Sequence, residues 1–286
     1  MLKTRVITAL ALLAILLPVL ISGSYLAFTM IAAIFLCAAM WENQRLFKKP
    51  APIVMAAAWS FMFLYLNLRA DVPAPSTMFL LFCVCVGLWL LVLVPALHFY
   101  APGKQGMGAA LMSSVYGVTI FGCFLAMSAL FSRSSLYFFS AMAVVWIADI
   151  GAYFFGKAFG RTKLAVTISP GKSWEGALGG WLCVLLVGGA CTFFPILSET
   201  LPTQIQHSFG WFGFLLAMTG LCAASVVGDL FESLIKRRAN VKDSSALLPG
   251  HGGVLDRIDA LIPVLPLIML IDFLIAYNTP LRAGFF

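Results

Sequence analysis

Charged side chains are concentrated in two short windows of this sequence, residues 149–175 and residues 229–259, which hold 16 of its 29 charges. The second window alone carries ten. On a helix, polar side chains at positions i, i+3, i+4 and i+7 share one face. Four side chains have this spacing at the start of the second window: Asp229, Glu232, Ser233 and Lys236.

A basic loop with several glycines separates that face from a second acidic pair, Asp256 and Asp259, at the start of the last apolar run. Mg²⁺ is usually held by one or two carboxylates together with the phosphates of its ligand. Lys and Arg side chains neutralise the remaining phosphate charge, and glycines let the backbone approach a ligand. The pattern therefore indicates a metal-assisted phosphate site, although helix-dipole and topology effects explain each residue singly.

The first window begins with Asp149, which lies inside or near the end of an apolar run. An acid in a membrane span is expected to be functional, and Lys157 is its candidate partner. The stretch Gly171-Lys172-Ser173 resembles part of a phosphate loop, but Val166 stands where a Walker A motif has its first glycine. Two interpretations stay open. Residues 169–173 precede a helix whose N–H groups attract phosphate, or Ser173 caps that helix and Glu175 is its first-turn acid.

The composition defines the elements that must position these residues. Of 286 residues, 62% are hydrophobic and 10% are charged, whereas soluble domains have about 25% charged residues. This excludes an ordinary soluble protein, a disordered chain and a disulfide-stapled secreted domain. The seven cysteines all lie in apolar runs without metal-site spacing, which favours simple packing roles. The class is a polytopic membrane protein.

Nine apolar runs predict nine transmembrane helices, since each helix needs about 20 residues to cross the hydrocarbon. The runs lack the alternation typical of a barrel, so the predicted fold class is all-α. We divide the chain into N-terminal helices (1–134, about five spans) and C-terminal helices that carry the site (135–286). The runs lie near 7–22, 24–41, 52–68, 77–99, 107–131, 135–156, 174–196, 208–231 and 255–277.

The distribution of basic residues predicts a cytoplasmic N-terminus and an outer C-terminus. With nine spans, 15 of the 18 Lys and Arg residues fall on the cytoplasmic side, and only Arg69, Arg133 and Arg282 fall outside. Both charged windows then lie at cytoplasmic helix ends and can meet. The net charge of +7 follows from topology and anionic headgroups, so no nucleic-acid partner is predicted.

A long stretch of the second window resembles a known family signature. It comprises Ser233-Leu-Ile-Lys236-Arg237, Lys242-Asp243-Ser-Ser and Leu248-Pro-Gly-His251-Gly252-Gly253-Val-Leu-Asp256-Arg257-Ile-Asp259. This pattern is similar to that of the phosphatidate cytidylyltransferase family, also called CDP-diacylglycerol synthases. The stretches 149–153 and 169–176 resemble the middle part of the same family, so the resemblance covers roughly the second half of the chain.

The resemblance implies that CTP and phosphatidate give CDP-diacylglycerol and pyrophosphate. It further implies Mg²⁺ bound by Asp229 and Asp256, K⁺ as a second cation of the site, and a homodimer in the bacterial inner membrane. Its active site would face the cytoplasm, and Lys172 and Arg237 join the two aspartates as catalytic residues. The residues assigned to substrate binding are Asp149, Tyr153, Ser169, Ser173, Glu175, Ser233, Lys236, Lys242, Asp243, His251, Gly252, Gly253, Arg257 and Asp259.

Other functions are compatible with parts of this pattern. Another CTP-using membrane enzyme, such as a polyprenol kinase or an archaeal-type lipid cytidylyltransferase, would use closely similar chemistry. A CDP-alcohol phosphotransferase is disfavoured because its DxxDGxxAR pattern is absent from the sequence. An ion-coupled transporter would use Asp149 and two repeated halves, which the sequence does not show. A scaffolding protein would have no use for the acidic helix ends.

Overall fold

In the computed structural model, which describes residues 2–69, 74–99 and 107–278, the chain is a bundle of helices. The helices are α1 (Leu2–Ser22), α2 (Tyr25–Leu46), α3 (Pro52–Leu68), α4 (Pro75–Leu88), α5 (Val94–Phe99), α6 (Met107–Arg133), α7 (Ser135–Phe159), α8 (Trp174–Cys191), α9 (Leu201–Arg238), α10 (Leu255–Ile258) and α11 (Leu261–Asn278). A π-helical segment (Trp89–Leu93) joins α4 to α5, and a 3₁₀ turn (Pro195–Leu197) follows α8. The predicted helical membrane fold is confirmed.

Seven helices in the described part of the chain are long and apolar enough to cross a membrane. They are α2, the continuous α4–α5 segment, α6, α7, α8, α9 and α11. Two shorter apolar stretches, Leu13–Ser22 and Pro52–Leu68, account for the other two predicted runs. The count of nine and the orientation of the termini stay predictions, and two of the charges behind them, Lys104 and Arg282, lie outside the described residues.

A small β-hairpin, which the sequence analysis did not predict, connects α7 to α8. Its strands β1 (Lys163–Ala165) and β2 (Ser169–Ser173) are antiparallel, with Lys163 opposite Ser173 and Ala165 opposite Ser169. Strands of three and five residues are too short for an alternating pattern to reveal them. The hairpin presents the Gly171-Lys172-Ser173 stretch at the end of the bundle.

Glycines bring α7 and α8 into close contact. A Cβ built on Gly151 would lie 2.9 Å from the Cα of Gly180, and one on Gly176 would lie 2.8 Å from the carbonyl oxygen of Ala152. Side chains at these positions would force the helices apart, as expected where small residues line a membrane helix interface. The close packing fixes the hairpin and its Lys172 beside the end of α7.

The segment before α11 departs from the predicted run 255–277. Residues 255–258 form the separate short helix α10, and α11 begins only at Leu261. Pro263 explains the break, because it has no N–H to donate to the carbonyl of Asp259. Gly228 of α9 packs against that carbonyl so closely that a Cβ there would collide with it. Asp259 and Asp229 therefore lie on adjoining segments.

Two other helices depart from regular geometry at single residues. The long helix α9 starts at Leu201, before the predicted run 208–231, and is interrupted at Gly210, where φ is +65°. A glycine adopts this left-handed conformation without strain. The π-helical segment precedes Pro95, which cannot donate the regular helical hydrogen bond. There Trp89 packs against Tyr116 of α6 and Phe231 of α9, joining the N-terminal helices to the site helix.

Candidate active site

Three lysine–carboxylate contacts lie at one end of the bundle, and one of them joins the two charged windows. Lys172 of β2 forms an ion pair with Asp229 of α9. Lys236, two turns further along α9, forms an ion pair with Glu232 and places its Nζ 2.5 Å from Asp256 Oδ1. The expected convergence of the two windows is confirmed, and it joins the hairpin, α9 and α10 into one polar cluster.

Asp256 organises the loop between α9 and α10. Its Oδ2 accepts hydrogen bonds from the backbone N–H groups of Ser244 and Gly253, each at 2.8 Å, and lies 2.9 Å from Ser244 Oγ. Burial by itself would raise the pKa of this carboxyl, but the hydrogen bonds and the Lys236 charge outweigh it and hold the pKa below its usual value. Asp256 is therefore a carboxylate that binds the loop through these hydrogen bonds and contacts Lys236 at the same time.

The two glycines of the His251-Gly252-Gly253 run are needed by this loop geometry. Gly252 has φ +82°, and a Cβ on it would lie 2.6 Å from Asp256 Oδ2. A Cβ on Gly253 would collide with Ser244 Oγ and with Glu42. The two glycines thus let the loop backbone pack against the carboxylates of Asp256 and Glu42. This is a structural reason for the presence of Gly252 and Gly253, whose assignment to substrate binding stays a prediction.

Glu42, which the sequence analysis missed, is the second of these carboxylates. It lies near the end of α2, is fully buried, and accepts hydrogen bonds from the N–H groups of Val254 (3.0 Å) and Leu255 (2.7 Å). The hydroxyls of Ser245 and Ser244 lie 2.5 Å and 3.1 Å from its oxygens. The sequence offered one local feature, an acid close to Arg45, Lys48 and Lys49 near the end of an apolar run, which does not by itself predict contacts with the loop.

Further acids surround Asp229. Asp149 of α7 is exposed and interacts electrostatically with both Asp229 and Lys172. Burial, and then the charge of Asp229, raise the pKa of Asp259 above its usual value, while a hydrogen bond from the N–H of Ala260 at 2.9 Å acts the other way. Ser233 Oγ approaches Asp229 Oδ1 at 3.4 Å. In the immediate cluster around Asp229, acids thus outnumber the two lysines that contact them, Lys172 and Lys236.

The hairpin side of the site is held by side chains that bind backbone. Ser173 caps α8 by accepting a hydrogen bond from the N–H of Gly176 at 3.2 Å, which confirms the capping interpretation without excluding a ligand. Glu175 accepts hydrogen bonds from the N–H groups of Arg161 (3.1 Å) and Thr162 (3.0 Å). Both residues therefore fix the hairpin against α8, and their assignment to substrate binding stays a prediction.

The remaining predicted residues lie around the rim. Arg237 is exposed and its Nε lies 3.4 Å from the carbonyl oxygen of Ile168 in the hairpin turn. Arg257 Nε donates to the carbonyl oxygen of His251 at 3.0 Å, and the Nδ1 atom of His251 is buried without a hydrogen bond in the described structure. The exposed rim residues are Lys242, Asp243 and Tyr153, and Ser169 is half-buried in β2.

The carboxylates of this site fit a hard cation whose remaining ligands are phosphate oxygens of the substrate. Within the described ranges, no group of three or more His, Cys, Asp or Glu side chains could hold a metal ion. Mg²⁺ does not require such a group when a nucleotide supplies the other ligands. In the described part of the chain, Asp229 Oδ1 has a long contact with Ser233 and Oδ2 pairs with Lys172, and this side chain is 35% exposed. Asp256 Oδ2 already accepts hydrogen bonds, Oδ1 is shared with Lys236, and the side chain is 6% exposed. Asp229 is therefore the more accessible of the two predicted ligands.

Comparisons with known proteins identify relatives of this chain. The model of the cytidylyltransferase family matches residues 3–274. A phosphatidate cytidylyltransferase of Haemophilus influenzae is 50% identical over 123 residues, which are 43% of this chain and 41% of that protein. The enzyme of the same name from Pseudomonas aeruginosa is 42% identical over 144 residues, 49% of each chain. The chain thus spans about half the length of the curated relatives it matches.

Proposed function

The chain belongs to the cytidylyltransferase family, and from that premise we propose that it transfers the cytidylyl group of CTP to phosphatidate. The products would be CDP-diacylglycerol and pyrophosphate. The observation that supports this best is the cluster formed by Lys172–Asp229 and Lys236–Asp256, where acidic groups and cations from both charged windows meet. Such a cluster at the end of apolar helices suits a reaction between a nucleotide and a lipid headgroup.

The proposed reaction needs charge neutralisation more than proton transfer. A phosphate oxygen of phosphatidate attacks the α-phosphorus of CTP, and the bond from that phosphorus to the β-phosphate bridge oxygen breaks. A phosphomonoester has a second pKa near 6, so the attacking group is largely dianionic at neutral pH and requires no strong base. The obstacle is the repulsion between two anions, which cations at the site reduce.

The chain's own cations have defined positions for this role. Lys172 and Lys236 lie within the cluster, while Arg237 and Arg257 lie at its rim. We propose that Lys172 and Arg237 bind phosphate groups of CTP, because Lys172 belongs to the hairpin and Arg237 contacts the turn of the same hairpin. The acyl chains of the lipid would stay among the apolar helices while its headgroup reaches the cluster.

We further propose that Mg²⁺ binds at this cluster, with Asp229 and Asp256 as its protein ligands and K⁺ as a second cation. When bound, Mg²⁺ supplies neutralisation of triphosphate charge and polarisation of the phosphoryl oxygens. Asp149 and Asp259 lie beside Asp229, and a bound cation would relieve the repulsion among these acids. Lys236 limits the access of a cation to Asp256, so we expect Asp229 to contribute more to affinity.

The reaction is tested with purified protein in detergent, phosphatidate, Mg²⁺ and CTP carrying label at one of two positions. Cytidylyl transfer moves α-phosphate label into the lipid extract and γ-phosphate label into pyrophosphate. A polyprenol kinase would instead move γ label into a polyprenol acceptor, and a transporter would label no lipid. Lipid label from γ-labelled CTP, or none from α-labelled CTP, would overturn the proposal.

The finer topology is also a proposal. We propose nine spans with the N-terminus in the cytoplasm of a bacterium, the active site at the cytoplasmic face of the inner membrane, and assembly as a homodimer that binds no nucleic acid. Reporter fusions after Asn240 should be cytoplasmic and fusions at Phe286 should be external. Both reporters on one side would contradict a last span between them, and both termini on one side would contradict the odd count of nine. A monomeric mass in detergent would contradict the dimer.

A further inference from the structure

Glu42 connects the N-terminal helices to the site loop through an unusual number of hydrogen bonds. Its two oxygens accept the N–H groups of Val254 and Leu255 and face the hydroxyls of Ser244 and Ser245. The partners lie 202 to 213 residues away in sequence. A single fully buried side chain of α2 thus contacts both ends of the loop that carries the Gly252-Gly253 motif.

The chemistry at this position requires a carboxylate. Val254 and Leu255 are buried, and a backbone N–H that loses its partner in a buried environment costs about 1–3 kcal/mol. Two N–H groups and two hydroxyls face this one side chain, which makes four donors. Because the Ser244 hydroxyl also faces Asp256, at least three of the four need an acceptor position on Glu42. A carboxylate offers about four lone-pair sites, whereas the amide of Gln offers only its one oxygen and presents an NH₂ to the other donors.

Glu42 is also coupled directly to Asp256. Ser244 Oγ lies 3.1 Å from Glu42 Oε2 and 2.9 Å from Asp256 Oδ2, so one hydroxyl hydrogen is shared by the two carboxylates. Asp256 in turn receives the N–H groups of Ser244 and Gly253 and contacts Lys236. The loop is held from inside by Glu42 and from the site by Asp256.

We propose that Glu42 is a positioning residue of the active site, which holds residues 244–255 so that Asp256 and Lys236 face the nucleotide phosphates. The proposal rests on the proposed function for its kinetic consequence, but its structural consequence can be measured without any reaction. It gives the N-terminal helices a role beyond spanning the membrane. Glu42 itself touches neither the rim nor the Lys172–Asp229 pair and acts only through the loop.

The experiment compares Glu42→Gln, Glu42→Asp and the matched control Asp272→Asn, which removes a different buried acid at the far end of α11. Hydrogen–deuterium exchange is measured by mass spectrometry on peptides that cover residues 240–258. Glu42→Gln should speed exchange there roughly tenfold or more, in line with the loss of a buried hydrogen bond. Glu42→Asp should restore part of the protection, and Asp272→Asn should leave these peptides as in the wild type.

Kinetics on the same variants give the second readout. Per folded molecule, Glu42→Gln should raise the KM for CTP and lower kcat by roughly tenfold each, with partial recovery in Glu42→Asp. Unchanged exchange in Glu42→Gln, or equal loop exposure in Asp272→Asn, would overturn the proposal. If the wild type makes no CDP-diacylglycerol but the exchange pattern holds, the proposed function fails and the positioning of the loop by Glu42 stands.

Discussion

Two clusters of charged side chains lie at opposite ends of this helix bundle, and they differ in the ratio of acids to basic residues. At the far end, Asp272 of α11 pairs with Arg133 of α6, accepts a hydrogen bond from Tyr137 at 3.1 Å, and the guanidinium stacks 3.8 Å above the Tyr137 ring. At the site end, five acids lie near two lysines. At the far end the buried acid has a cation and a hydroxyl donor beside it, whereas at the site end the acids outnumber the lysines, as the proposed cation binding requires.

The backbone also differs between the two ends. Asp272 sits within a regular helix, about 16 Å along α11 from its first residue at 1.5 Å per residue. Asp256 sits on a four-residue helix, preceded by a loop with glycines and followed by a break before Pro263. Irregular backbone at a membrane-protein site is tolerated where protein groups satisfy it, and here Glu42 and Asp256 do so. The contrast is what we expect if the far end is structural and the other end is the proposed ligand site.

The largest expected effect separates these two ends by catalysis. Asp229→Asn and Asp256→Asn should each lose roughly a hundredfold or more in CTP-dependent turnover, about 3 kcal/mol in the barrier. Asn keeps the shape but removes the charge that a hard cation needs. Asp272→Asn should keep wild-type turnover per folded molecule. Near-normal turnover of Asp229→Asn at limiting Mg²⁺ would contradict the metal assignment, and a matching loss in Asp272→Asn would erase the contrast.

The next effect concerns stability, for which we expect a loss in Asp272→Asn and none in Asp229→Asn. Asp272→Asn leaves Arg133 without its buried counter-charge, and we expect a loss of about 2 kcal/mol, below the usual cost of breaking a buried pair because Arg133 keeps some contact with solvent. Thermal unfolding in detergent measures this. Asp229→Asn should be as stable as the wild type or more so, since it relieves acid–acid repulsion with Asp149 and Asp259. A less stable Asp229→Asn would show that its charge is structural.

How far the sequence predicted this site depends on the range of the contacts. The charge distribution assigns both windows to the same membrane side, so their convergence could be expected, although the particular pair of Lys172 and Asp229 could not. The role of Glu42 could not be expected, because its partners are more than 200 residues away and an acid beside basic residues does not predict such partners. The helix break after Asp259 depends on Pro263 and on packing against Gly228. Hydropathy alone shows residues 255–277 as one continuous apolar run, so it does not reveal this break. The β-hairpin is too short for any periodicity to reveal it.

A smaller effect tests the cations of the site. Lys172→Ala and Arg237→Ala should each lower turnover roughly tenfold, about 1.4 kcal/mol, because they remove one neutralising charge without uncovering a buried group. Lys163→Ala is the matched control, since this exposed lysine lies on the same hairpin and outside the proposed site. Equal losses in all three variants would mean that general surface charge, and not a phosphate site, supports the reaction. Wild-type turnover in both site variants would contradict the proposed phosphate contacts.

The smallest effect concerns Ser173, for which the sequence analysis leaves two interpretations: a contact with phosphate and a cap of the helix that follows. Its hydroxyl accepts the N–H of Gly176, and loss of such a cap typically costs about 1 kcal/mol on replacement by Ala but only a few tenths by Gly. We therefore expect Ser173→Ala to lower the thermal stability, and Ser173→Thr and Ser173→Gly to recover most of it. Turnover of the Gly variant then separates the interpretations. If Ser173→Gly is stable but loses turnover while Ser173→Thr does not, the hydroxyl also contacts the substrate, because the helix is capped in both variants and only the Thr variant retains the oxygen.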